Sequence, residues 1–237
     1  SYFLISLGLL TMTVAALLAV ASKELKELLA YSTASHLGLI VAGLGISGVL
    51  GAETASFHIF NHAIFKASLF MVAGVILHEA GTQKISKLSG LKTQWPVLSA
   101  IGTVSALSMA GIPLLNGFYS KELLFESTYS LASSSGGITW ILPFIAVIGS
   151  IFTFIYSFRF ISIFYGEESD LELHSIPRLM IVAPGVLATM AISVGLFPNY
   201  FLDNMVQKAL TGISTGHHGM NVHVIPHLTP AFFMSLV

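Results

Sequence analysis

Two histidines and a lysine recur every four residues within one apolar stretch of the chain. His58, His62 and Lys66 stand at positions i, i+4 and i+8, so on an α-helix they share one face over about 12 Å. Histidine can accept and release a proton near neutral pH, because its unperturbed pKa is about 6.5. An apolar environment weakens the preference of a lysine for its charged form, so a nearby charge can change its protonation. The pattern predicts a proton relay. The alternative is that Lys66 reaches towards the membrane interface and that the two histidines only bond other helices.

A further lysine follows a segment that cannot form a continuous helix. Lys121 comes after Gly111, Pro113 and Gly117 in a long apolar run, and a proline inside a helix removes a backbone donor. A charge at bilayer depth costs about 2.5–3.5 kcal/mol on insertion scales and tends to mark an ion or proton path. Broken helices beside such charges are typical of transporter sites. We expect Lys121 to carry protons; the alternative is an interfacial lysine at a helix end.

Other ionisable residues have more ordinary interpretations. His36 lies in a polar patch of an otherwise apolar segment, where it extends the relay or only bonds a neighbour. Glu53 is expected in a short, solvated outer loop. His78 and Glu79 are expected to mark a helix end, although an entry route for protons at this point is the alternative.

A histidine-rich tail is the one candidate for a metal site. Its spacing does not match the helical H-E-x-x-H pattern, and glycines surround it. We therefore expect a flexible outer loop and no metal. The four histidines are His217, His218, His223 and His227.

Composition places the chain in a membrane. It has 237 residues, of which 54% are hydrophobic and only 9% are charged, and its mean hydropathy is +0.85. A soluble domain has about 25% charged residues. The net charge of −1 does not suggest nucleic-acid binding, and the absence of cysteine excludes thiol chemistry. Because no glycine-rich phosphate loop or dinucleotide fingerprint occurs, we expect no cofactor.

The apolar segments predict an all-α membrane protein with six transmembrane helices, since a span needs roughly 20 mostly apolar residues. The fourth segment is too long for one span, and we expect it to be discontinuous between Gly111 and Gly117. A seventh apolar run begins near residue 228. The predicted spans are residues 2–21, 28–50, 56–78, 97–129, 138–164 and 179–197.

Basic residues predict the orientation of these spans. Lysines concentrate in the loops after the first and third spans, and arginines flank the link between the fifth and sixth. These loops should share the cytoplasmic side. The chain starts at Ser1 and stops at Val237 inside apolar runs, so we expect it to be truncated at both ends.

Three segments resemble antiporter-like membrane subunits. Residues 23–38 (KELKELLAYSTASHLG) resemble the cytoplasmic link and the start of helix ten in that superfamily, and residues 57–70 (FHIFNHAIFKASLF) resemble helix eleven. Residues 110–122 (AGIPLLNGFYSKE) resemble the broken helix twelve. The superfamily includes subunits of respiratory complex I, membrane-bound hydrogenases and Mrp-type Na⁺/H⁺ antiporters. Residues 78–91 (HEAGTQKISKLSGL), 149–156 (GSIFTFIY) and 195–199 (GLFPN) are similar to the large, A-type subunit of Mrp antiporters.

The resemblance implies a fold and a set of roles. Residues 1–164 would be helices nine to thirteen, the second of two inverted five-helix repeats. Residues 165–237 would add a sixth helix, the outer histidine-rich loop and the start of another helix. Lys121 would match the terminal proton carrier, and His58 and His62 would link it to the central lysine of the path. The partners would be other subunits of a multisubunit complex in a prokaryotic plasma membrane, the lipid bilayer, H⁺ and Na⁺.

Two departures from the family pattern affect these expectations. The helix-ten motif reads Ser-His-Leu-Gly here, where the family often has glutamine, so His36 could add a protonatable step. The break has Leu114 after Pro113, where the family often has a second proline, which predicts a less sharp kink.

Three functions remain open at this point. The first is a transporter that moves protons through His58, His62 and Lys121, coupled to Na⁺ movement elsewhere in a complex. The second is a proton-pumping subunit of a redox-driven complex. The third is a structural fragment that carries no ion.

Overall fold

Helices account for almost all of the described chain. The computed structural model describes residues 1–168, 171, 173–208 and 230–235. The main helices are α1 (Tyr2–Ala21), α2 (Leu25–Gly45), α3 (Val49–Ala80), α4 (Pro96–Ala110), α5 (Asn116–Ser135), α6 (Ile141–Ser162) and α7 (Arg178–Leu196). Short 3₁₀ turns, Ile85–Lys87 and Gly137–Trp140, precede α4 and α6; a helix Pro198–Phe201, a π-helical turn Leu202–Gln207 and a helix Pro230–Ser235 follow α7.

Five of these helical segments are long and apolar enough to cross a membrane, and they correspond to α1, α2, α3, α6 and α7. The fold class predicted from the sequence is therefore confirmed, and the bounds predicted for α1 match its observed bounds. The count of six spans is not confirmed, because the fourth predicted span is divided into α4 and α5. Neither half qualifies as a span alone: α4 has only 15 residues, and α5 is rich in serine.

The break between α4 and α5 is complete. Gly111 ends α4 in the left-handed region with φ of 84°, and its backbone N–H bonds the carbonyl of Leu107 at 3.1 Å. Leu114 also has a positive φ, of 70°. The discontinuity predicted at Gly111–Gly117 is therefore present, whereas the expectation of a less sharp kink than in the family stays a prediction. Two residues with positive φ, Gly111 and Leu114, flank Pro113, and the helix is interrupted there without a second proline.

The start of α3 corrects another expectation. Glu53 lies inside α3 and is only 3% exposed, so the prediction of a solvated outer loop is wrong. The loop is instead reduced to a tight turn between α2 and α3. The close approach of the start of α3 to the end of α2 requires glycine at position 51, where a Cβ atom would lie 2.2 Å from the carbonyl oxygen of Ile46.

Close helix packing gives the bundle its shape. α1 and α2 meet through small residues, since a Cβ atom on Gly8 would lie 2.4 Å from the backbone nitrogen of Ala42. Small residues at such contacts allow membrane helices to approach closely. α6 packs beside α1, and α7 packs beside α3 and α4.

Two of the basic loops meet on one side of the bundle. Glu24 forms an isolated antiparallel bridge with Lys84, and the Gln83 side chain donates to the Glu24 carboxylate at 2.7 Å. This contact confirms that the loops after the first and third predicted spans share a side. Their cytoplasmic location stays a prediction.

Candidate functional site

Two buried histidines from different helices share a hydrogen bond. His36 on α2 and His58 on α3 are 2% and 1% exposed, and Nδ1 of His36 lies 2.9 Å from Nε2 of His58. Their rings stack with centroids 5.1 Å apart. The two interpretations of His36, a step of the relay or a bond to a neighbour, describe the same contact, because the neighbour that it bonds is itself a candidate relay residue.

Hydroxyl groups continue this contact at both ends. The Nδ1 atom of His58 lies 2.8 Å from Oγ of Ser120 on α5, and the Tyr156 hydroxyl on α6 lies 3.1 Å from Nε2 of His36. The result is a chain of four hydrogen-bonded groups from four helices, which we call the histidine wire: Tyr156, His36, His58 and Ser120. The sequence did not suggest Tyr156 or Ser120, because only tertiary packing brings them to the histidines.

His62 stands beside the wire without joining its hydrogen bonds. Its ring centroid is 5.4 Å from that of His36 and 6.2 Å from that of His58. In the described part of the chain, Nε2 of His62 and the side-chain amide of Asn61 have no protein hydrogen-bond partner, although these atoms are buried. Buried polar groups of this kind are usually satisfied by ordered water.

Lys66 leaves the histidine stripe and contacts α2. Its ammonium group donates to the Ser32 hydroxyl and to the Leu29 carbonyl, the latter at 3.3 Å. Lys66 is only 4% exposed. A lysine that extends to solvent does not fit this geometry, whereas a relay position inside the bundle does.

Lys121 bends back across the helix break. Its Nζ atom donates to the carbonyl of Ala110, the last residue of α4, at 2.7 Å, and the side chain is 5% exposed. The chain passes over Gly111, where a Cβ atom would lie 2.8 Å from Cδ of Lys121. The C-terminal end of a helix carries partial negative charge and favours a cation. The broken helix thus provides an oxygen for this lysine that a continuous helix would not.

Polar side chains fasten the break to its neighbours. The Ser108 hydroxyl donates to Oδ1 of Asn116, and Oγ of Ser108 accepts from the backbone of Gly117 at 3.3 Å. The amide of Asn116 also donates to the backbone carbonyl of Asn61 at 3.3 Å. The start of α5 is therefore held against both α4 and the middle of α3, next to His62.

The remaining sequence candidates lie elsewhere. Nδ1 of His78 lies 2.9 Å from Oε1 of Glu79, within hydrogen-bond distance, and the backbone carbonyl of Glu79 accepts from the backbone of His174 at 3.3 Å. These contacts fit a helix end that anchors a loop. The tail histidines, His217, His218, His223 and His227, lie outside the described residues.

Sequence comparison decides the family. The family model described as "NADH:quinone oxidoreductase/Mrp antiporter, TM" matches residues 1–153. The chain belongs to this family. With its apolar helices, this NADH:quinone oxidoreductase/Mrp antiporter family chain is a multi-pass membrane protein, and the resemblance found from the motifs is confirmed.

Two of the relatives that the chain matches are named as antiporter subunits. The A1 subunit of the Na(+)/H(+) antiporter of Staphylococcus aureus strain JH9 is 38% identical over 253 residues, covering 97% of this chain and 32% of the relative. The A1 subunit of strain Newman matches to the same extent. This family member therefore spans about a third of the length of the curated relatives that it matches.

Solved structures of the family share the fold. A chain in the Mrp complex from Dietzia sp. DQ12-45-1b matches with a TM-score of 0.86 and 33% identity, covering 98% of this chain and 25% of that chain. A chain of the membrane-bound sulfane sulfur reductase, an archaeal respiratory membrane complex, gives 0.73 and 26%, with 97% and 43% covered. Respiratory complex I from Thermus thermophilus gives 0.70 and 25%, with 88% and 44% covered.

Proposed function

We propose that this chain forms half of a transmembrane proton path in a cation/proton antiporter subunit, coupled to Na⁺ export by the complex around it. The observation that carries the proposal is the histidine wire, which runs from α2 and α3 to the residue before Lys121. The names of the relatives support the choice of ions, because those proteins are called Na⁺/H⁺ antiporter subunits.

The buried groups divide the work of proton transfer. Lys66 would deliver or accept a proton at one end, and His62, with water, would connect it to the wire. His36 and His58 would pass the proton across the bundle, and Lys121 would hold it at the break. The neutral oxygens around both lysines support this assignment, because a lysine without a tight anionic partner changes protonation more readily.

The organisation of the chain follows the same proposal. Residues 1–164 would form the second inverted repeat of an antiporter-like subunit, and residues 165–237 would add the following helix and the outer loop. Partners would be the other subunits of a multisubunit complex in the cell membrane. The matching first repeat would complete the path.

A redox-driven complex is the second candidate. The similarity to chains of the sulfane sulfur reductase and of complex I supports it, because the same helices serve in respiratory assemblies. The higher TM-score and identity with a chain of the Mrp complex favour the antiporter. A purely structural role is less favoured, because Lys66, Lys121 and two histidines are buried together with polar partners.

Substitution of Lys121 tests the proposal. In the complete complex, Lys121→Ala should abolish Na⁺/H⁺ exchange or reduce it at least tenfold, because the proposed terminal proton carrier is lost. The complex should still assemble, since a charge at bilayer depth costs about 2.5–3.5 kcal/mol and its removal relieves that cost. Everted membrane vesicles with a pH-sensitive dye measure the exchange. His58→Ala and His62→Ala should cause smaller losses, because water can bridge a missing step.

The matched control is Lys87→Ala, which removes an exposed lysine from the loop before α4. It should leave exchange at the wild-type rate. Normal exchange in Lys121→Ala, with the complex present at wild-type levels, would exclude Lys121 as a required proton carrier and favour the structural role.

A further inference from the structure

We propose that a groove between α4 and α7 binds a phospholipid, with one acyl chain along the groove and the lipid phosphate at Arg178. The site lies outside the proton path, so this inference goes beyond the proposed function. It starts from two adjoining cavities of about 510 Å³ and about 580 Å³, whose linings share Val97 of α4 and Ile181 of α7. Together the two cavities form one continuous groove.

The larger cavity is apolar and open to the surroundings of the bundle. Its lining is aliphatic apart from a glycine and Thr189, whose hydroxyl donates to the Gly185 carbonyl of its own helix at 2.9 Å. The lining residues Val97, Val182 and Val186 are 57%, 57% and 61% exposed. Because the one hydroxyl of this lining is already bonded, the larger cavity suits a hydrocarbon chain.

The depth of the groove matches one leaflet of a bilayer. On α7 the apolar lining runs from Ile181 to Ile192, which is about 16 Å at 1.5 Å per residue. The hydrocarbon core of a bilayer is about 30 Å thick. A helix of about 10 Å diameter and the same length would occupy about 1,300 Å³, more than twice the volume of the larger cavity. An acyl chain therefore fits this groove better than a spanning helix of another subunit.

The smaller cavity forms the polar end of the groove, where α4 and α7 both begin. Gln94, Trp95, His174 and Ser175 belong to its lining. The Trp95 indole donates to the His174 carbonyl at 3.0 Å, which ties the start of α4 to the segment before α7. Tryptophan is enriched at the interface between membrane and water. The groove thus changes from polar to apolar along its length, as a lipid does from headgroup to tail.

Arg178 supplies a positive charge at this polar end. It is the exposed first residue of α7, and Ile181 and Val182 of the groove follow it at i+3 and i+4, on the same face. In the part of the chain that the structure describes, its side chain has no ion pair. Glu79 contacts the segment before α7, but its carboxylate is buried 2.9 Å from Nδ1 of His78. A guanidinium group binds phosphate oxygens through paired hydrogen bonds, so the charge favours a phospholipid.

Photolabelling of the complete complex in lipid nanodiscs tests the proposal. One probe is phosphatidylglycerol with a diazirine in an acyl chain, and the other is diacylglycerol with the same chains but no phosphate. Mass spectrometry locates the labelled residues. Phosphatidylglycerol should label residues 97–104 and 181–192, and diacylglycerol should label them about fivefold less, which corresponds to about 1 kcal/mol for one basic residue at a membrane surface.

Two variants with matched controls separate the acyl chain from the phosphate. Ala100→Phe places a ring in the apolar lining and should reduce labelling by both probes severalfold, whereas Ala183→Phe, at an exposed position of α7 outside that lining, should not. Arg178→Gln should reduce labelling by phosphatidylglycerol to the level of diacylglycerol. Lys26→Gln, which removes an exposed charge from α2, should leave it unchanged.

Four results would overturn the proposal. Absence of label from both segments in the complete complex would show that another subunit covers the groove. Equal labelling by the two probes, or unchanged labelling in Arg178→Gln, would exclude recognition of the phosphate. Equal losses in Ala100→Phe and Ala183→Phe would exclude the groove as the site of the acyl chain. Because labelling requires no ion transport, these results do not depend on whether the proposed proton path is correct.

Discussion

Lys66 and Lys121 are both buried lysines, 4% and 5% exposed, but their surroundings differ. Lys66 lies within the continuous helix α3 and contacts Ser32 and Leu29 near the start of α2. Lys121 lies on α5, just after a complete break, and contacts the last carbonyl of α4. One ammonium group is held by a neighbouring helix, the other by the open end of the preceding half-helix.

This difference indicates how each position is tuned. A side-chain hydroxyl can rotate away from Lys66, so that contact is adjustable. The carbonyl of Ala110 is fixed by the backbone and adds the partial charge of a helix end. We therefore expect the Lys121 site to depend on backbone geometry, and the Lys66 site to depend on one removable side chain.

The largest effect is expected from Gly117→Ala. A Cβ atom at this position would lie 1.8 Å from the carbonyl oxygen of Ser108, so the start of α5 must move away from α4. Overpacking of this kind costs about 1–3 kcal/mol and occasionally more. The thermal midpoint of the purified complex should fall, and exchange in everted vesicles should be lost. Gly74→Ala in α3 is the control, because a Cβ atom at Gly74 would have no atom within 4 Å. This variant should keep both the thermal midpoint and the exchange rate. A wild-type thermal midpoint in Gly117→Ala would contradict the tight packing at the break.

A smaller and more specific effect is expected from Gly111→Ala. Its φ of 84° disfavours a side chain by about 1–2 kcal/mol, and the new methyl group would also meet Cδ of Lys121. Gly81→Ala has the same type of backbone strain, with φ of 64°, but open space around it. Both variants should lose similar stability in thermal unfolding, and only Gly111→Ala should lose exchange. Equal exchange rates in the two variants would show that the position of Lys121 against Ala110 is unimportant.

The smallest effect is expected from Ser32→Ala. Lys66 would keep the Leu29 carbonyl at 3.3 Å, so the loss should be that of a single hydrogen bond, about 0.5–1.5 kcal/mol. Exchange in vesicles should slow severalfold and remain measurable. Thr33→Val is the control, because Thr33 bonds the same carbonyl but not the lysine. Complete loss of exchange in Ser32→Ala would make Ser32 an obligatory relay group and remove the contrast between the two lysines.

Much of this arrangement could be predicted from local patterns. Apolar run length predicted α1 residue by residue, and Pro113 with its flanking glycines predicted the break. The i, i+4 spacing placed His58 and His62 on one face, and their ring centroids are 6.2 Å apart with the ring planes inclined by 20°. Such features depend on neighbours in the chain, which the sequence displays directly.

The rest depends on contacts between distant residues. Tyr156 is 120 positions from His36, and Ser120 is 62 positions from His58, so no local pattern connects them. Glu53 was misplaced for the related reason that a glycine-rich segment usually signals a loop. Here Gly51 instead allows α3 to start against the end of α2.

The glycines of the break have a mechanical consequence. A Cβ atom on Gly117 would collide with the Ser108 carbonyl, and one on Gly195 of α7 would lie 2.1 Å from the carbonyl oxygen of Leu114. Backbone therefore presses on backbone at both ends of the interruption, with no compressible side chain between. This close backbone contact disfavours hinge motion between α4, α5 and α7 at the break.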